Sequence, residues 1–114
     1  MIIEPVQGTA GTIPAAKEFL IELRRVTCEI GDFLIFDEVI TGFRLAQGGA
    51  LEFCGVIPDV STFGKVAVGG LPSGALGGTA EVMRLMEYNI KPGAILMAGT
   101  FNGHPLVTAT GMAT

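Results

Sequence analysis

The sequence predicts an α/β fold, a mostly parallel sheet with flanking helices, on three observations. Phe33-Leu34-Ile35-Phe36 is a short, uniformly apolar run, as expected of a parallel strand covered on both faces. A further strand is expected at Val60-Ser61-Thr62-Phe63. An amphipathic stretch precedes the first of these strands and completes a strand-helix-strand unit, whose crossover should be right-handed. Both strands end on reactive groups: the first delivers Asp37 and Glu38, the second Gly64 and Lys65. Ligands of open parallel sheets bind beyond the carboxyl ends of the strands, so Asp37 and Lys65 are expected to face one site.

Taken in order, Ile2-Ile3 is a minimal strand that Glu4-Pro5 ends, because proline cannot continue a central ladder. Gly8 and Gly11 mark a flexible loop up to Thr12, and Pro14 is expected as the first helical residue, where its fixed φ and missing N–H cost nothing. Phe19, Leu20, Leu23, Val26 and Ile30 recur at helical spacing and predict the buried face of one helix, closed by Gly31. Ala50 to Cys54 reads as a short helix ended by Gly55, and Pro58-Asp59 opens the strand that leads to Lys65. Gly69 to Gly74 is a loop by composition, and Ala75-Leu76-Gly77-Gly78 a short strand. Thr79 is the expected N-cap of a helix running to about Tyr88, with Val82, Leu85 and Met86 inward, until Lys91-Pro92-Gly93 breaks it. The tail from Pro105 to Thr114 reads as a weakly amphipathic apolar helix.

Composition narrows the function classes. With 114 residues the chain holds one core, and 49% hydrophobic against 16% charged residues excludes a disordered chain. The net charge of −4 and the lack of a Lys/Arg cluster argue against nucleic acid, whose phosphates demand a basic surface. No apolar run approaches the ~20 residues of a membrane span, and no signal peptide is visible, so a cytoplasmic location is expected. Cys28 and Cys54 lack CxxC spacing and a neighbouring histidine; they read as buried free thiols, and no metal is expected. A sheet of about four strands would leave both edges open and apolar, which points to part of a larger protein.

Four apolar residues followed by Asp-Glu also fit the metal-binding strand of a nucleotide triphosphatase. That reading needs a phosphate loop, and the nearest spacing, Gly69 to Gly74, is followed by Ala75 instead of lysine. No G-x-G-x-x-G fingerprint is present either. A Schiff-base enzyme fits better. Such an enzyme needs an unprotonated amine, and Lys65, flanked by Phe63, Gly64, Val66, Ala67 and Val68, is expected to be desolvated. Asp37 supplies a carboxylate of the kind that keeps the pyridinium nitrogen of pyridoxal phosphate protonated.

These residues fall into a recognisable order. Ile35-Phe36-Asp37-Glu38-Val39-Ile40-Thr41-Gly42-Phe43-Arg44, Pro58-Asp59-Val60, Gly64-Lys65 and Gly69-Gly70-Leu71-Pro72-Ser73-Gly74-Ala75 together resemble the class III pyridoxal phosphate-dependent aminotransferases. Ile3-Glu4-Pro5-Val6-Gln7-Gly8 and Ala98-Gly99-Thr100-Phe101-Asn102-Gly103-His104-Pro105-Leu106 match the same family at the two ends. The resemblance implies a fold type I transferase and catalytic roles for Lys65 and Asp37. Lys65 would hold the cofactor as a Schiff base and shuttle the substrate proton, and Asp37 would pair with the pyridinium nitrogen. Val39 would pack on the ring, and Thr100 would bind the cofactor phosphate of a neighbouring subunit. A homodimer and a small-molecule amino substrate are implied with it. Glu38 is expected to support the strand end through hydrogen bonds.

Within the family, Thr41-Gly42-Phe43-Arg44, Gly64-Lys65 and Gly70-Leu71-Pro72 with Gly77-Gly78 look most like the glutamate-1-semialdehyde aminomutase branch and its β-amino acid aminotransferase relatives. The ornithine and 4-aminobutyrate branch usually carries an acid where this chain has Thr9, while the loop from Thr9 to Pro14 is similar to the β-amino acid enzymes. The aminomutase branch is favoured, with β- or ω-amino acid transfer as the alternative. The chain is expected to be the central part, residues 1–114, of the cofactor-binding large domain, without the phosphate-loop region and the small domain, and inactive alone. The alternative from another class is a non-catalytic interaction module with open sheet edges. His104 is expected to cap or lie exposed before Pro105; Tyr88, Met83, Met86 and Met97 are expected to pack; Arg44 is expected in a loop salt bridge.

Overall fold

Alternating burial along residues 35–38, rather than a uniformly covered run, defines the central strand of the computed structural model, which describes residues 1–87 and 93–114. The main sheet contains β1 (Ile2–Ile3), β4 (Ile35–Glu38), β5 (Val60–Phe63) and β6 (Ala75–Gly78), in the order β1-β4-β5-β6. The first three are parallel, and β6 returns antiparallel to β5. Asp37 and Glu38 therefore lie within β4, not beyond it, and Phe33, expected in the strand, lies before it and is half exposed. The expectation of two covered faces fails: Leu34, Phe36 and Glu38 are fully buried, while Ile35 and Asp37 on the other face are half-buried.

The buried face is packed by helices. α1 (Lys17–Glu29) contributes Leu20, α2 (Gly49–Cys54) contributes Ala50 and Cys54, and both close over Leu34, Phe36 and Val56. Cys54 is buried as expected, whereas Cys28 is exposed. The inward face of α1 is narrower than its apolar spacing suggested. Leu20 and Thr27 are buried, but Phe19 is 51% exposed, and Ile30, just past the end of the helix, is 68% exposed. Gly31 takes a left-handed φ of 69° and ends it, as predicted.

Pro14 is not helical. It pairs in β3 (Ile13–Pro14) with β2 (Val6–Gln7), a small antiparallel hairpin that encloses the expected glycine loop, and α1 starts only at Lys17. The hairpin wins because Pro14 needs no N–H at an edge position and the Ala15 N–H finds the Pro5 carbonyl at 2.9 Å.

Asp59 fastens the amino ends of the central strands. Its Oδ2 accepts from Arg24 Nη1 at 2.7 Å and from the Leu34 N–H at 2.8 Å. Beyond β6, Thr79 caps α3 (Ala80–Met83) by accepting from the Val82 N–H at 3.5 Å. This helix lasts one turn before a 3-10 turn, Arg84–Met86, so Leu85 is 49% exposed instead of inward. The expected helix end at Tyr88, the packing of Tyr88 and most of the Lys91-Pro92-Gly93 break lie outside the described residues. His104 caps α4 (Pro105–Met112) through Nδ1, which accepts from the Leu106 N–H at 3.2 Å. α4 lies on the 3-10 turn that begins at Lys65, and there Thr110 Oγ1 donates to the Val68 carbonyl at 3.4 Å.

Candidate functional site

Parallel pairing puts Asp37 opposite Thr62 in the register of β4 and β5, with Lys65 just past the end of β5. Asp37 Oδ1 accepts from the Val39 N–H at 3.0 Å and from Thr62 Oγ1 at 3.3 Å. Both donors go to one oxygen. Among the described residues nothing donates to Oδ2, which leaves it available to a ligand.

Val39 closes the gap between the strand ends. A Cβ added at Gly64 would stand 3.4 Å from Val39 Cγ1, so the residue before Lys65 is in van der Waals range of the residue two beyond Asp37. Asp37, Val39 and Lys65 thus gather at one end of adjacent strands. Lys65 itself has φ +48°, a left-handed conformation that costs a non-glycine residue roughly 1–2 kcal/mol. Gly64 precedes it in extended backbone, so the turn falls on the amine-bearing residue and not on the neighbouring glycine. The expected desolvation of Lys65 does not hold in this chain. Its side chain is exposed, because the 3-10 turn directs residues 66–68 toward α4 and leaves the amine in solvent.

Glu38 points to the opposite face and is fully buried. Its Oε2 accepts from the Ala50 N–H at 2.5 Å and Thr41 Oγ1 at 3.3 Å, and its Oε1 from Ser61 Oγ at 3.4 Å. It ties β4, β5 and the start of α2 together, the supporting role that its position in the sequence suggested. Arg44 is exposed and, among the described residues, makes no salt bridge, so the expected ion pair is not formed there. Thr100 sits in the exposed turn before α4, and no described hydrogen bond joins it to Asp37, Val39 or Lys65. Nearby, a groove of about 400 Å³ brings Met97, Phe101 and Asn102 beside Ser73 and Leu76 of the loop and strand that follow Lys65.

Thr62, Ser61 and Asp59 were legible in the sequence only as strand residues and a motif position. Their roles depend on which strand lies alongside, information that spacing does not carry. The hydroxyls in an otherwise apolar strand were the available signal.

The family model for class-III aminotransferases matches residues 1–114. The chain belongs to the class-III aminotransferases. It is similar to enzymes of more than one named specificity. It is 53% identical over 114 residues to a glutamate-1-semialdehyde 2,1-aminomutase of Ignicoccus hospitalis, covering 100% of this chain and 26% of that protein. The fold matches a β-phenylalanine aminotransferase from Variovorax paradoxus with TM-score 0.86 and 40% identity, over 98% of this chain and 25% of the other. It also matches a transaminase with PLP bound, with TM-score 0.89 and 33% identity, over 98% of this chain and 26% of that one. This class-III chain therefore spans about a quarter of the length of the relatives it matches.

Proposed function

We propose that the protein carrying this chain is a pyridoxal phosphate-dependent enzyme of the glutamate-1-semialdehyde 2,1-aminomutase type, and that residues 1–114 form the central part of its large, cofactor-binding domain. The observation that supports the cofactor assignment is that Asp37, with one carboxylate oxygen lacking a donor among the described residues, and Lys65 stand at the carboxyl ends of neighbouring parallel strands. That donor set fits the cofactor: an amine for its aldehyde and a carboxylate for its ring nitrogen. A solved transaminase with PLP bound shares the fold, which supports the same reading.

Pyridoxal phosphate, when bound, supplies an aldehyde that condenses with amines and a ring that withdraws electrons from the substrate's Cα. Each residue then has a task suited to its place. Asp37 would hold the proton on the ring nitrogen through Oδ2. Val39 would pack against the ring. Lys65 would hold the cofactor through Nζ and would accept and return the substrate's Cα proton. Thr100 contributes to the phosphate site of a second copy, so the working unit is a homodimer with a small amino substrate, in the cytoplasm.

The mutase assignment rests on identity to the aminomutases, 53% against 40% for the β-phenylalanine aminotransferase. Amino transfer between a β-amino acid and an oxo acid is the second reading, supported by that structural likeness. Borohydride reduction of the full-length protein with pyridoxal phosphate should label Lys65, and equal labelling in Lys65→Ala overturns the assignment. Turnover of glutamate-1-semialdehyde without an added amino acceptor marks the mutase; turnover only of β-amino acids with an oxo-acid acceptor marks the second reading.

A further inference from the structure

We infer that Thr62 is a positioning residue for Asp37, which reserves one carboxylate oxygen for the cofactor's ring nitrogen and keeps the proton on that nitrogen. The inference rests on the pyridoxal phosphate reading above. It starts from β5, whose consecutive hydroxyls serve consecutive acids of β4 on opposite faces. Ser61 Oγ donates to Glu38 Oε1 at 3.4 Å on the packed face, and Thr62 Oγ1 donates to Asp37 Oδ1 at 3.3 Å on the other. An aliphatic residue at either position would leave an acid of β4 without that donor.

Asp37 is held on one side only. The Val39 N–H and Thr62 Oγ1 converge on Oδ1, one from the chain just beyond and one from the neighbouring strand, and together they fix how the carboxylate plane is turned. The backbone donor belongs to the local turn and is present whatever side chain follows. Thr62 is therefore the side chain through which the sheet sets the orientation. It also acts electronically. A donor to a carboxylate stabilises its charged form, so removing the donor makes that carboxylate a stronger base. In a hydrogen bond shared with a pyridine nitrogen, a stronger base draws the proton toward itself. The ring then loses positive charge and withdraws electrons less well.

The test uses the full-length protein loaded with pyridoxal phosphate labelled with ¹⁵N in the ring. Thr62→Val keeps a β-branched side chain suited to a strand and removes the donor. Thr62→Ala removes the donor without placing a methyl where the hydroxyl was. Both should move the ring-nitrogen resonance toward that of neutral pyridine. Thr62→Ser should keep the wild-type resonance. A packing role alone would weaken cofactor retention and leave the resonance where it is. An unmoved resonance in either folded variant lacking the donor, or a Thr62→Ser resonance that moves with Thr62→Val, overturns the inference. A wild-type protein that takes up no cofactor, or a ring nitrogen unaffected by Asp37→Asn, overturns the cofactor reading on which it rests.

Discussion

Asp37 and Glu38 are consecutive acids with opposite environments, and the pleat of β4 is the cause. Asp37 faces a half-open side and, among the described residues, has one oxygen without a donor, while Glu38 accepts from three protein donors. Glu38→Ala would strand those buried donors, and it should lower unfolding free energy by about 3 kcal/mol in urea titrations, with Glu38→Gln costing less. Cys54 gives a pH dependence. Burial pushes its thiol up, and the neighbouring Glu38 carboxylate adds to the shift. The unfolded chain ionises this thiol first, so the folded state binds more protons in that window. The contribution of Cys54 is complete below the ordinary thiol range and is lost as pH rises through the folded value. The urea midpoint should fall between about pH 8 and about pH 10, and fall less in Cys54→Ala. These acids were legible as chemistry, since an apolar run ending in Asp-Glu is a strong pattern. Asp37 was read as the ligand-facing acid and Glu38 as the supporting one; the donors each of them meets were not legible, because they follow from a strand that begins at Ile35 and from its register with β5.

Elements here are short, and they depend on joints between them. β4 and β5 have four residues each, and Asp59 pins their amino ends to Arg24 of α1 and to the Leu34 N–H. Asp59→Ala removes both bonds, and a loss of about 2 kcal/mol in unfolding free energy is expected, with Asp59→Asn retaining part of it. The joint between α4 and the Lys65 turn is equally tight. A Cβ at Gly69 would stand 2.5 Å from Thr110 Cβ, at a φ of +64° that disfavours any side chain. Gly69→Ala should release α4, seen as faster proteolysis within residues 105–112, and cost roughly 1–3 kcal/mol. Helix spans were predicted well where a glycine ends them, as at Gly31 and Gly55, both left-handed. They were predicted poorly where tertiary contacts compete, as at Pro14, drawn into a hairpin, and Leu85, turned outward by a 3-10 turn.

Across the molecule, apolar side chains remain in solvent on several sides: Ile2 at 60%, Phe53 at 60%, Ile57 at 69% and Leu96 at 73% exposed. That agrees with a chain that spans about a quarter of its relatives' length. Exposed apolar surface of this extent drives association. The isolated 114-residue chain is expected to self-associate in size-exclusion chromatography and to bind a hydrophobic dye, and a monomeric, dye-free chain would contradict this. Among the described residues, no helix is long and apolar enough to cross a membrane.

The order of the motifs, the α/β class and the identities of the acid and the amine were determined by the sequence itself, because residue type, apolar runs and glycine stops act locally. Tertiary structure decided the rest. It paired Thr62 with Asp37, Ser61 with Glu38 and Arg24 with Asp59, and it left the Lys65 amine exposed. Those outcomes depend on strand register and on which surfaces meet, and segments distant in sequence settle them together.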